Sequence, residues 1–242
     1  MSRRWTTLLV AVGFLLVLGT VFAAEGGGES AEVHKKSLLD LFQSTGIVGI
    51  LMVILSVIGT ALLLQYLVNY TEPKLSNITI LSEVEQLLGE GDVPSALEVA
   101  QSDRSYTGIV LTGALSRSTG GYEEVKHGFD ECAAVEAYRL NANLSYLSLV
   151  GNIGPLLGLL GTVTGMISSF QVIETMKAPT PGDLAVGVYE SLVNTTMGLF
   201  VAIIFLTAYF FLKNRVSDIL LRINNQIGEV LSRTMAPEAK RS

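Results

Sequence analysis

The chain has 242 residues, 49% of them hydrophobic and only 16% charged, with a mean hydropathy of +0.49 and a formal net charge of −6. A water-facing globule needs more surface charge than this, and the apolar residues are clumped into long runs, so the composition excludes an ordinary soluble domain and points to a bilayer. No basic block or aromatic–basic stripe marks a nucleic-acid partner, and the single cysteine, Cys132, excludes an internal disulfide.

In chain order, Arg3 and Arg4 precede an apolar stretch from Leu8 to Leu18, and Val21 and Ala23 fit a −3/−1 cleavage pattern. Residues 1–24 therefore read as a signal peptide, the alternative being an uncleaved anchor helix. Residues 25–45 are polar and partly Gly-rich and read as a periplasmic N-terminus. Three uncharged runs then reach the length of about 20 residues that a helix needs to cross a bilayer. They predict transmembrane helices over residues 46–70, 144–170 and 191–212, joined by a cytoplasmic helical domain (71–143) and a periplasmic loop (171–190), with a cytoplasmic tail over 213–242. The fold class is an all-α membrane protein with three transmembrane helices after the signal peptide.

The orientation follows from the cleaved signal, which leaves the mature N-terminus outside, and from the basic residues. Lys213, Arg215 and Arg222 follow the third span, whereas the 171–190 loop carries only Lys177. The expected location is the bacterial inner membrane, with the C-terminus in the cytoplasm.

Within the cytoplasmic domain, Pro73 closes the first span. Leu75, Ile78, Leu81, Val84, Leu87 and Leu88 recur at helical spacing up to Gly89 and Gly91. Asp92 is placed to cap a short helix with Pro94 in its first turn. Asp103 opens another helix to about Ser118, Gly120-Gly121 interrupts, and a helix from Tyr122 runs through Asn143 into the second span. The acidic residues Glu123, Glu124, Asp130, Glu131 and Glu136 form a solvated helix face.

The second span carries small and polar residues in ordered stripes. Gly151, Pro155, Gly158, Thr162, Gly165 and Ser169 share one helix face, with Gly154, Gly161, Thr164 and Ser168 beside it. In the third span Ser191, Thr195, Gly198 and Ala202 share a face, flanked by Asn194 and Thr196. Two readings follow. Small residues let helices approach closely while hydroxyls bond across to a neighbour, so the stripes serve packing. Alternatively, Thr162 and Thr195, which both donate and accept hydrogen bonds, line a path for hydrated ions. Pro155 withdraws a backbone donor and kinks the helix. Glu190 opens the third span, either in a cap or packing role, the cap being favoured by the macrodipole, or as an ion-entry or partner contact. A carboxylate at mid-bilayer costs about 2.5–3.5 kcal/mol on insertion scales, a penalty that shrinks at the membrane edge.

The string Ile153-Gly-Pro-Leu-Leu-Gly-Leu-Leu-Gly-Thr-Val-Thr-Gly-Met-Ile167 resembles the second-span signature of the MotA/TolQ/ExbB proton-channel family, in its ExbB/TolQ branch. Glu190-Ser-Leu-Val-Asn-Thr-Thr-Met-Gly-Leu-Phe-Val-Ala-Ile203 resembles the third span of that branch, and Leu88 to Leu97 its short loop–helix element. The resemblance covers about residues 46–222. This chain has Ile204 where members carry a proline, and Gly154 where they carry an alanine.

The resemblance implies a ring-forming stator subunit, a homo-pentamer around a dimer of a small single-span ExbD/TolR-like partner with an intramembrane aspartate. It also implies proton flow coupled to force on an outer-membrane or envelope protein. By position, Thr162 and Thr195 would be the polar residues of the ion pathway and Glu190 the family's glutamate, while Pro155, Gly158, Gly161, Gly165, Ser169 and Gly198 would shape the pore helices. The spans contain no acid of their own, which fits an acceptor supplied by the partner. Competing readings are a membrane scaffold without conduction and a flagellar-type stator. No nucleophile–base pair, cofactor motif or metal-ligand spacing suggests an enzyme. The glycine run Gly158–Gly165 lacks the lysine of a phosphate loop.

Overall fold

The computed structural model describes residues 46–176, 178 and 180–236, and every described element is helical. The predicted signal peptide and periplasmic N-terminus lie outside the described residues. The helices are α1 (Gly46–Asn69), α2 (Glu72–Leu75), α3 (Ile78–Gly89), α4 (Val93–Ser102), α5 (Tyr106–Leu115), a 3₁₀ turn (Ser118–Gly120), α6 (Tyr122–Thr175) and α7 (Pro181–Met235). Three of them, α1, α6 and α7, are long and apolar enough to cross a membrane. At 1.5 Å per residue the 24 residues of α1 span roughly 36 Å, enough for a hydrocarbon core of about 30 Å. The protein is an all-α, multi-pass membrane protein.

The chain divides into two compact units, to both of which α6 and α7 contribute. The first comprises residues 46–63 and 146–209. Here α1 is pinned at Gly59, where an added Cβ would meet the Phe205 ring at 2.6 Å and Val150 Cγ1 at 2.8 Å. Most of the apolar surface points outward: only 17% and 22% of the hydrophobic windows of α6 and α7 are buried. Leu156, Leu159, Ile167, Leu192, Leu199 and Ile203 are all exposed. A face this apolar needs lipid or another protein against it.

The second unit, residues 64–145 and 210–236, has a conventional hydrophobic core. Leu81, Val84 and Leu88 of α3, Ala96 and Ala100 of α4, and Val110, Leu111, Ala114 and Leu115 of α5 are buried. From α7 the stripe Leu212, Val216, Ile219, Ile223, Ile227 and Val230 joins them at steps of three and four. Local signals fix the connections. Asp92 accepts from Ser95 N at 3.1 Å and from the Ser95 hydroxyl at 2.6 Å, and these bonds hold its carboxyl below the usual range. Gly121 has φ of +84°, a conformation that glycine adopts without steric cost, at the turn into α6.

Polar contacts tie the helices of this unit together. Tyr66, stacked on Tyr70, donates its hydroxyl to Asn143 O at 2.7 Å. Tyr106 is buried and donates to Asn224 Oδ1 at 2.8 Å, and burial raises its phenol pKa. Arg233 pairs with Glu85.

Several boundaries differ from the sequence expectation. Leu75 sits in the separate one-turn α2, because Pro73 starts that turn rather than continuing α1. Ser105 caps α5, its side chain accepting from Gly108 N, while Asp103 holds Ser105 in place. The stretch expected as the 171–190 loop is largely helical: α6 runs to Thr175 and α7 begins at Pro181, where a fixed φ and a missing N–H suit a helix start. The expected tail is also helical as far as Met235. No glycine or proline interrupts Leu199–Ile227, and the buried stripe rewards continuation.

Candidate functional site

The feature of the first unit that stands out chemically is the seam where α6 meets α7. On α6 it consists of Gly151, Gly154, Gly158, Gly161, Gly165 and Ser169, at steps of three and four. Each glycine is a position where side-chain bulk is excluded. A Cβ on Gly154 would stand 2.9 Å from Gly198 O, one on Gly158 3.1 Å from Thr195 Cα, and one on Gly165 2.8 Å from Ser191 Cβ. On α7, Gly187, Ser191, Asn194, Thr195 and Gly198 face them. A Cβ on Gly198 would meet Gly154 O at 2.5 Å. The two backbones are in direct contact, the arrangement that small residues permit between membrane helices.

The sequence-predicted site residues fall unevenly on this seam. Gly158, Gly161, Gly165, Ser169 and Gly198 lie in it. Thr195 also lies in it, its hydroxyl donating to Gly158 O at 3.3 Å and to Ser191 O at 3.5 Å. Thr162 and Pro155 sit beside the seam, each half-buried. The Thr162 hydroxyl donates within its own turn to Leu159 O at 2.7 Å, and α6 stays helical through Pro155.

Glu190 is half-buried and lies nine residues inside α7, so the expected role as the cap of that helix does not hold. Five positions from Thr195, it projects roughly 140° away around the helix. The helix therefore presents Thr195 and Glu190 on different sides.

Asn194 is the residue that the stripe reading underweighted. It is only 4% exposed, and its Oδ1 has no hydrogen-bond partner among the described residues. An enclosed polar atom left unpaired costs about 1–3 kcal/mol. Its side chain lies against Gly161, where a Cβ would come within 2.5 Å of Asn194 Cβ. The signal in the sequence was an amide among small residues at helical register with the stripe.

Residues 104–225 match the model of the MotA/TolQ/ExbB proton channel family. The chain belongs to that family. Among relatives, it is 25% identical over 185 residues to a putative biopolymer transport protein, an ExbB homolog of Methanothermobacter thermautotrophicus, a match covering 75% of this chain and 65% of the relative. It is 40% identical over 74 residues to the Tol-Pal system protein TolQ of Pseudomonas aeruginosa, covering 31% of this chain and 32% of that one. The chain thus spans less than two thirds of each. The solved structure of C. jejuni MotAB shares the fold, with a TM-score of 0.58 at 16% identity over 93% of this chain and 89% of that one. The matched segment of the MotA/TolQ/ExbB chain includes the whole α6–α7 seam.

Proposed function

We propose that this chain is the ring-forming subunit of an ion-motive-force-driven motor of the bacterial inner membrane, of the ExbB/TolQ kind. The observation that carries the reading is the α6–α7 seam: a family member presents close-packed glycines and hydroxyls over two spans that hold no acidic or basic residue between Leu144 and Phe170 or between Ser191 and Leu212. A path of neutral oxygens can relay protons or pass a cation, but it needs an ionisable acceptor to couple that movement to work. A dimer of a small single-span partner with an intramembrane aspartate supplies one, encircled by five copies of this chain.

Thr195 and Thr162 then contribute hydroxyls to the pathway, and Glu190 stands toward its periplasmic mouth. Orientation with the N-terminus outside and the C-terminus inside accords with Lys213, Arg215 and Arg222 after the third span. Each charge crossing gains about 2.3 kcal/mol per 100 mV, so several crossings drive one mechanical step. The force is delivered to an envelope or outer-membrane protein. The sequence relatives favour this over a flagellar stator, since the likeness to MotAB is one of fold.

Vesicles reconstituted with this chain and such a partner should take up protons or sodium under an inside-negative voltage, read with pH- and sodium-sensitive dyes, whereas the chain alone should not. Equal uptake with and without the partner, or none in either, would reject the motor and favour a scaffold whose seam serves only packing.

A further inference from the structure

Three polar side chains in the α6–α7 seam are shut off from solvent: Ser169, Ser191 and Asn194. The serines satisfy themselves on helix carbonyls. Ser191 donates to Val188 O at 2.7 Å and Ser169 to Gly165 O at 3.2 Å. Asn194 differs, because its Oδ1 is enclosed and accepts nothing from the described residues. The carboxamide is aimed into the glycine stripe, and a Cβ on Gly161 would come within 2.9 Å of its Nδ2. One residue on, the Thr195 hydroxyl makes only two long bonds, at 3.3 and 3.5 Å, beyond the usual range for a hydroxyl donor. An unused acceptor and an under-used donor thus occupy adjacent positions on the same helix.

A leucine at 194 would fill the seam against Gly161 without leaving an orphan acceptor, so packing alone does not call for an amide. No described residue supplies the missing donor. It must be small, since Oδ1 is enclosed between two helices of one chain rather than turned to the outer surface where another subunit's side chain could reach. Water, hydronium or an alkali cation meets this condition. We infer that Asn194 is a further residue of the ion path: its carboxamide oxygen accepts a hydrogen bond from a water or hydronium, or ligates a cation, between α6 and α7 at the level of Gly161, beside the Thr195 hydroxyl. This rests on the stator reading for its role in conduction. The presence of a water-accessible polar site at Asn194 does not depend on that reading.

The experiment has two arms, both on the full chain with its partner. In a C132S background, which removes the only native cysteine, N194C and A202C are exposed in membranes to silver ion, a thiol-reactive cation of alkali-cation size, and thiol modification is followed by mass. Ala202 is buried on the same helix but apolar. N194C should be modified and A202C spared. In the second arm, N194L should lower ion flux by about tenfold or more, the loss of one hydrogen bond to a charged species, while melting no lower than the unsubstituted protein. Proton and sodium dyes separate the two ions.

N194C as inert as A202C would overturn the inference, as would N194L with undiminished flux. Should N194L fail to assemble, the labelling arm decides alone. Labelled N194C in a protein that conducts nothing even unsubstituted would sink the motor reading and leave Asn194 as a hydrated site.

Discussion

Thr195→Val should reduce partner-dependent ion flux by about 10- to 150-fold, because a hydrogen bond to a charged species is worth about 1.5–3 kcal/mol. The substitution keeps the shape of the side chain and removes only the hydroxyl. That hydroxyl contributes little to the fold, since its bonds to Gly158 O and Ser191 O are 3.3 and 3.5 Å long. Loss of flux with an unchanged melting temperature would therefore report on the path and not on packing. Thr195→Ser, which restores the hydroxyl, should recover most of the flux. Thr162→Val should act in the same direction; its hydroxyl bonds only within its own turn, to Leu159 O. Undiminished flux in both valine variants would remove the threonines from the path.

Gly198→Ala tests the seam itself and should destabilise the membrane unit by about 1–3 kcal/mol, the usual cost of overpacking. The new methyl would meet Gly154 O at 2.5 Å and Gly158 Cα at 3.2 Å. These are backbone atoms, so the clash is relieved only by moving α6 away from α7. The same change at Gly228, on the same helix but with nothing within 4 Å of an added Cβ, should stabilise by up to about 1 kcal/mol through helix propensity. Thermal unfolding in detergent compares the two. If Gly198→Ala melted no lower than the unsubstituted protein, the close approach of the helices at that point would be wrong.

Much of this architecture could be read from the sequence because the signals are local. Uncharged runs marked the three spans, Asp92 and Pro94 marked the start of α4, and Gly120-Gly121 marked the break before α6. What hydropathy could not place was where helices end once they leave the apolar run. Tyr189, Glu190 and the residues back to Pro181 are too polar to register as a span, yet nothing in them stops a helix, so α7 starts nine residues before Glu190. The helical stripe Val216, Ile219, Ile223, Ile227 and Val230 was present in the expected tail and was legible by its period rather than by its hydropathy.

The candidate site was legible as composition and not as geometry. A stripe of Gly, Ser and Thr announces a close helix contact, but which members face the partner depends on rotation about the helix axis. Gly154 and Gly161 proved to lie in the seam while Thr162 and Pro155 lie beside it. The unpaired Asn194 Oδ1 depends on what surrounds it across two helices, which spacing along one helix cannot reveal.

In the proposed motor, this family member builds a ring around a small partner. Native mass spectrometry tests it most directly, with the purified chain alone and co-expressed with a single-span protein carrying a mid-membrane aspartate. Five copies of the chain should assemble and gain two copies of the partner. A monomer or dimer that takes up no such partner would contradict it.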